Sequence, residues 1–247
     1  MKRLLSSGAA VILCMVLLTI PFSSAPSASS LVENAFQKLN TINSIDYRVT
    51  EKRILTVDDE KQEQTQTLRV KVVYKGRNSA DIAVNASGSG GKFDIYYKDG
   101  YVYQNLYGIK SRTKTGSLPV DPLDDFMLQV PRYLLRNAEV TKTEDGGHKV
   151  VARMSSDIVT QAFRESVAAT LKDEGHTDIR VGLSDFKTTY NIDKNGNLKS
   201  VVNTVSATAI TNKGKQTEQY RQTVQINSTD RITSVGFPTD LSSYTTY

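Results

Sequence analysis

The sequence predicts an α+β fold in which one large antiparallel sheet carries helices on one of its faces. Three observations predict it. Apolar and polar residues alternate with a period of two in two long stretches, one ending near Lys114 and one beginning near Ile179. The segments before and between them carry apolar residues at three- and four-residue steps, and Asp-Gly and Asn-Gly pairs punctuate the alternating stretches. Blocks of strands kept apart from blocks of helices, instead of a strict strand-helix alternation, call for a segregated architecture.

The chain of 247 residues opens with Lys2 and Arg3, runs apolar from Ala9 to Ile20, and passes through Pro21 into a small-residue stretch ending in Pro26-Ser27-Ala28. Twelve helical residues at about 1.5 Å each reach roughly 18 Å, short of the roughly 30 Å hydrocarbon core. Residues 1–28 are therefore read as a signal peptide for export, with Lys2 and Arg3 held on the cytoplasmic side and cleavage after Ala28. A cut there leaves residues 29–247 as a single domain, with Ser30-Leu-Val-Glu33 as a capping box for its first helix.

Cys14 is the only cysteine and lies inside the apolar run, preceded by Leu13 where a lipid-attachment site needs a small residue. Lipid anchoring is not expected. Without the leader the chain has no cysteine, which excludes disulfides, thiol catalysis and cysteine-ligated metals. Removing Lys2 and Arg3 from the 31 basic residues leaves 29 against 26 acidic ones, a mild net charge of +3. Two basic groups, Lys71/Lys75/Arg77 and Lys110/Arg112/Lys114, have tyrosines nearby. Their alternation with apolar residues reads as solvated strand faces, and export removes nucleic acid as a partner.

From Ser30 to about Thr41, Leu31, Val32, Ala35, Phe36 and Leu39 form one apolar helical face. Strands follow at Ile45/Tyr47/Val49, Leu68/Val70/Val72/Tyr74, Ile82/Val84, Phe93/Ile95/Tyr97 and Tyr101-Val102-Tyr103, with Asp99-Gly100 supplying a tight turn. Around residues 123–135 one or two short helices are predicted, the second opening on Pro131. A hairpin joins 138–143 to 149–154, and Val159, Phe163, Val167 and Leu171 then mark a helix that Gly175 ends. Strands are predicted again over about 179–192, 198–210, 215–227 and 231–237.

No reaction is written in this pattern. Ser111-Arg-Thr-Lys114 and Lys114-Thr-Gly116 match S-x-x-K and K-T-G, but they overlap, whereas that chemistry brings the two together from distant elements. His148 and His176, the only histidines, stand in no metal-ligand spacing, and Asp193-x-Asn195-Gly196-Asn197 lacks the full calcium-loop pattern. Asp58-Asp59 and Asp124-Asp125 fall in predicted loops, and Ser87-Gly-Ser-Gly-Gly91 joins two strands without opening a helix, so it is no phosphate cradle. The sequence predicts a protein that is not an enzyme and needs no cofactor or metal.

The opening amphipathic helix, Asp46-Tyr47-Arg48-Val49, the hairpin Tyr96-Tyr97-Lys98-Asp99-Gly100-Tyr101-Val102-Tyr103, the central helices and the closing Phe237-Pro238-Thr239-Asp240 together resemble the LolA/LppX-like superfamily. Within it the chain is most similar to uncharacterised secreted proteins and lipoproteins of Gram-positive bacteria. The resemblance implies a curved antiparallel β half-barrel with helices covering the concave face, and a lipid or acyl-bearing molecule bound between the two. The candidate wall residues are then Leu68, Val70, Val72, Tyr74, Ile82, Val84, Phe93 and Ile95 on the sheet, with Phe126, Met127, Val159 and Phe163 from the helical lid.

The expectation is an exported, extracellular or cell-envelope protein that binds a hydrophobic or amphiphilic ligand without catalysis and touches the membrane only through its signal peptide. The alternative is a structural or interaction module with a filled core, which contacts another envelope protein and takes no ligand.

Overall fold

The computed structural model describes residues 26–57, 59–76, 79–115, 127, 130, 132–153, 157–173 and 175–246. Most of the leader with Cys14, and Phe126 and Asp124-Asp125, lie outside the described residues.

Helix α1 (Ala28–Leu39) leads into strands β1 (Ser44–Val57), β2 (Glu60–Gly76), β3 (Ser79–Gly88), β4 (Phe93–Lys98), β5 (Tyr101–Leu106) and β6 (Ile109–Lys114). The one-turn helix α2 (Arg132–Leu135), the hairpin β7 (Glu139–Lys142) and β8 (His148–Arg153), and helix α3 (Asp157–Asp173) come next. A second meander, β9 (Arg180–Ile192), β10 (Leu198–Thr211) and β11 (Gly214–Thr229), precedes a 3-10 turn at Leu241–Ser243 and the short β12 (Thr245–Thr246). All twelve strands form one open sheet in the order β12-β6-β5-β4-β3-β2-β1-β11-β10-β9-β8-β7.

The sheet is two meanders fused by a single long-range pairing. β1 lies antiparallel to β11 from Ile45↔Thr229 to Val57↔Gln216, so the first and last long strands of the chain stand side by side at its centre. Every other neighbour is antiparallel except β12, which runs parallel to β6. Strand β1 is fourteen residues long and β2 seventeen. Their distal halves, residues 51–57 and 60–67, are mostly polar on both faces, which hides them from an alternation search; the ladder carries them.

Directly opposed residues share a face, so register fixes sidedness. On the inner face Ile45, Tyr47 and Val49 of β1, Val70 and Val72 of β2, and Val224 of β11 are fully buried, together with Tyr190 of β9 and Val150 of β8. Val32, Ala35 and Leu39 of α1 close over them in the same core. Each fully buried aliphatic side chain contributes about 1.5–3 kcal/mol. Phe36 meets Tyr190 edge-on at 6.0 Å. The Tyr190 hydroxyl in turn accepts the Val130 N–H at 2.9 Å, which ties the segment before α2 onto the sheet. Helix α1 lies against β9 and β10, α3 against β9, and α2 against α1 and β8.

The structure corrects the start of α1. Ser27, not Ser30, is the N-cap: its hydroxyl accepts the Ser30 N–H at 3.1 Å, and Ala28 is the first helical and a buried residue. Glu33 does not reach back to a cap. It accepts from both Nε and Nη2 of Arg132, a two-pronged pair joining α1 to α2. Helix α3 ends as its sequence predicts, with Gly175 N–H on the Lys172 carbonyl and His176 N–H on the Leu171 carbonyl, a Schellman pair. Asp99 and Gly100 both take positive φ (50° and 80°), the primed turn that two-residue hairpins require, and Tyr107-Gly108 repeats it.

The strand predicted over 231–237 does not form. The chain leaves β11 at Asp230, whose carboxylate Oδ1 accepts the Asn43 N–H at 2.5 Å, and crosses to the outer face. The alternation of Val235 and Phe237 serves another end there. Val235 is buried with Ala83 and Tyr96, and Phe237, Val73 and Tyr103 pack against them in a second, outer core. Tyr244 meets Tyr103 edge-on at 5.6 Å, Lys110 pairs with Asp240, and β12 then covers the edge of β6.

Candidate ligand-binding face

Reading the pairings across the sheet produces a single apolar row on the inner face: Ile109, Leu106, Phe93, Ala86, Leu68, Val49, Val224, Val201, Tyr190 and Val150. It crosses ten strands, from β6 to β8. Its middle is closed: Val49, Val224 and Tyr190 are fully buried. Towards β6 it opens, with Phe93 half-buried, Leu106 39% exposed and Ile109 68% exposed.

The next row towards the β1–β2 turn reverses polarity in one step of about 6.8 Å, two residues along the strands. It reads Gln66, Glu51, Gln222, Asn203 and Thr188 across β2, β1, β11, β10 and β9. Four of them, Thr188, Asn203, Gln222 and Glu51, are wired in one direction. Thr188 donates to Asn203 Oδ1 at 2.9 Å, Asn203 donates to Gln222 Oε1 at 3.0 Å, and Gln222 donates to Glu51 Oε1 at 3.0 Å. Tyr220 donates to the same Glu51 oxygen at 3.0 Å. Buried networks of this kind hold when their members are satisfied, and every donor here points toward the carboxylate. Burial pushes the Tyr220 hydroxyl well above the ordinary tyrosine range, and the Glu51 charge beside it pushes it further.

Beside this row lies an open cavity of about 310 Å³ lined by Glu51, Arg53, Gln64, Thr65, Gln66, Ser89, Gly90 and Tyr220. Gln66 Oε1 accepts the Gly90 N–H at 3.3 Å, while its Nε2 is enclosed without a hydrogen-bond partner. Arg53 is held by Glu218, Nε to Oε1, at 2.7 Å. A cavity of about 500 Å³ sits at the opposite end of the sheet, between the end of α1 and the β9–β10 turn, with Lys38, Asp193, Lys199 and Asp230 in its walls. Asp193 there is engaged as a turn residue, its Oδ1 accepting the Asn195 and Asn197 N–H groups at 2.9 Å each.

The wall residues expected from the sequence separate into two sets. Leu68, Val70, Val72, Ile82 and Met127 are buried in the main core, and Tyr74, Val84 and Phe93 are half-buried against it. Ile95 is half-buried on the same face, paired with Val84. Phe126 and the side chains of Val159 and Phe163 lie outside what is described. The polar row was not anticipated. Its one legible signal is Gln62-x-Gln64-x-Gln66, a run with the period of a strand face.

The two histidines are not brought together. His148 begins β8 opposite Ile192, and His176 follows α3 with Nδ1 3.0 Å from Thr211 Oγ1. No cluster of three or more metal-ligating side chains occurs among the described residues, and none of the described helices is long and apolar enough to cross a membrane.

No protein-family model matches the chain, and no curated protein does. Among solved structures it is similar to the lipoprotein LppX of Mycobacterium tuberculosis, at 12% identity and a TM-score of 0.45, covering 85% of this chain and 98% of that one. LprF of Mycobacterium bovis is also 12% identical, with a TM-score of 0.42 over 87% of this chain and 98% of its own. A LolA superfamily protein from Nitrosomonas europaea is 11% identical over 83% and 95% of the two chains, with a TM-score of 0.23. The last of these is itself named as a LolA superfamily protein.

Proposed function

We propose that the protein is an exported, envelope-associated binder of an amphiphilic molecule, without catalysis, and that the inner face is its site. The observation that carries this reading is the one-step change from the apolar row to the polar row. A ligand with an acyl or other apolar part and a hydrogen-bonding head matches both rows at once, the tail along Phe93 and Leu106, the head at Glu51, Gln66 and Tyr220. The closed middle of the row is filled core, so the tail's place is on the β3–β6 side, where Val84, Phe93, Ile95 and Leu106 are only half-buried or exposed.

Curvature of the sheet belongs to the same reading. A twelve-stranded open sheet with register shifts at Asp46/Tyr47, Tyr74/Gly76 and Thr204/Ser206 has the length and the bulges that make sheets coil. Coiling brings the open side of the apolar row toward the helices, as in a half-barrel.

The test is native mass spectrometry of the exported protein purified from its own host, with extraction of bound lipid. A stoichiometric amphiphile is expected, and Ile95→Glu is expected to lose it while keeping the fold. A clean apo spectrum, with no thermal shift on addition of long-chain acyl lipids, sinks the reading.

A further inference from the structure

Register sorts the charges of the central strands by face. From the Asp46↔Lys71 pair to the Thr56↔Lys61 pair, the outer face of β2, β1 and β11 carries Lys61, Arg69, Lys71, Arg48, Lys52 and Arg221, six cations against the two carboxylates of Asp46 and Glu63. The inner face over the same rows carries Glu51 and Glu218 against Arg53. An outer excess of four charges on three strands is larger than the net +3 of the chain without its leader, so the basic excess is gathered here. We propose that this outer face binds a linear polyanion, an extended chain of phosphodiester-linked polyol units laid along β1.

Four of the cations stand in two directly opposed pairs. Arg48 faces Arg69 across β1 and β2, and Lys52 faces Arg221 across β1 and β11. Like charges placed in this way have Cβ atoms about 5 Å apart and destabilise the ladder. Asp46 answers one pair, with Oδ2 2.8 Å from Arg69 Nη2, and Glu63 answers the other, 2.8 Å from Lys52 Nζ. Arg48 and Arg221 are exposed and engage no hydrogen-bond or ion-pair partner among the described residues. The further outer-face acids are already engaged: Asp94, two strands beyond Arg69, accepts from Asn85, and Asp185 of β9 is taken by Lys187. Two unanswered guanidinium forks, each beside a second cation where a threonine or a glutamate would steady the sheet, are a surface held ready for anions.

The spacing selects a chain over a point ion. Four residues of β1 separate Arg48 from Lys52, about 14 Å, too far for one small anion to touch both pairs. Between them Thr50, Thr67 and Thr223 form a row of hydroxyls. Same-face rows lie about 6.8 Å apart, and a polyol phosphate with six backbone bonds per repeat spaces its charges about 7 Å apart when extended, since three such bonds reach roughly 3.5 Å. Successive phosphates then meet Arg48 with Arg69, the threonine hydroxyls, and Lys52 with Arg221. Guanidinium forks match phosphate oxygens two at a time. The segment after β11 crosses the outer face beyond Asp46, with the Ile232 N–H donating to Ser44 Oγ at 3.3 Å, and leaves the Arg48 row exposed. No strongly exposed large apolar side chain lies on these rows, so nothing there would enter a bilayer. The export that the leader predicts takes nucleic acid out of reach.

The test is fluorescence polarisation of a labelled glycerol phosphate oligomer, long enough to span both pairs, titrated with the exported protein at several salt concentrations. Binding is expected and weakens as salt rises, because counterions are released. The variant Arg48→Gln/Arg221→Gln is expected to lose about tenfold or more in affinity and to flatten the log–log salt dependence by about one to two. Its melting temperature is expected to hold or rise, because opposed like charges are relieved, and circular dichroism reports that it is folded. Lys142→Gln/Lys172→Gln, which removes the same charge from β7 and α3, leaves binding as in the wild type. Wild-type protein that does not bind the oligomer, a folded Arg48→Gln/Arg221→Gln variant that binds it unchanged, or equal weakening by the Lys142→Gln/Lys172→Gln control would each overturn the proposal. So would displacement of the oligomer by free phosphate or by phosphatidylglycerol vesicles at matched phosphate concentration. Amphiphile binding on the inner face, read separately by thermal shift, stands or falls independently of it.

Discussion

Tyr220 and Glu51 meet across the centre of the inner face, the tyrosine hydroxyl donating to Glu51 Oε1 at 3.0 Å from the neighbouring strand. They are not directly opposed: Tyr220 pairs with Arg53 and Glu51 with Gln222, so the bond is a diagonal that ties two adjacent polar rows together.

That diagonal predicts an alkaline signature. Burial first, and the Glu51 charge second, hold the Tyr220 proton on beyond the ordinary value of 10.0. The unfolded chain loses this proton earlier as pH rises, so stability present below about 10 declines above it. Comparing ultraviolet alkaline titrations of the wild type and Tyr220→Phe isolates this hydroxyl, which is expected to ionise late. Glu51→Gln is expected to bring it down part of the way, leaving the effect of burial. Tyr220→Phe is also expected to cost about 1 kcal/mol in urea unfolding at neutral pH. A Tyr220 that titrates with exposed tyrosines would remove the network from the account.

Asp46 supplies a prediction at the acid end. Its burial alone would raise the carboxyl, but hydrogen bonds from Arg69 and Asn227, and the charges of Arg69 and Lys71, hold it below 3.8. Arg69 Nη2 is 2.8 Å from Oδ2, and Asn227 donates to Oδ1 at 2.9 Å. A lowered folded value means that the stabilisation is whole at neutral pH and is lost as pH falls below about 4. Because Arg69 is half exposed, solvent screens its share. Asp46→Asn is expected to cost about 1–2 kcal/mol at pH 7, with the difference from wild type shrinking at pH 3. Urea unfolding at the two pH values checks it; an unchanged difference would assign the loss to packing.

The C-terminal strap is expected to guard the sheet. Deleting the residues after Ser234 uncovers Ala83, Tyr96 and Tyr103 on the outer face and strips β12 from the edge of β6. Unpaired strand edges beside exposed aromatics template association, so the shortened chain is expected to aggregate on concentration, as light scattering would show. Val235→Ala, which leaves the strap in place, is expected to cost about 1–2 kcal/mol without aggregation.

Some of this molecule is readable residue by residue. Asp99-Gly100 specifies its turn because both positions need positive φ, and Gly175 ends α3 because helix carbonyls are left over there. The alternation at Leu68, Val70 and Val72 fixes which face of β2 is buried. The same logic misreads Val235 and Phe237, whose spacing fits a strand but whose partners are side chains on the outer face. It also passes over residues 51–57 and 60–67, where apolar alternation is too sparse to betray a strand and the pairing of β1 with β11 and β2 does the ordering.

By itself, then, the sequence determined local conformation and the sidedness of its apolar strands, because these depend on backbone sterics and on neighbours one to four residues away. Only the tertiary structure decided that β1 stands beside β11, some 170 residues further along. That pairing aligns Val49 with Val224 and Glu51 with Gln222. Rows across a sheet are made by register between distant segments, and register is settled by the whole core packing at once.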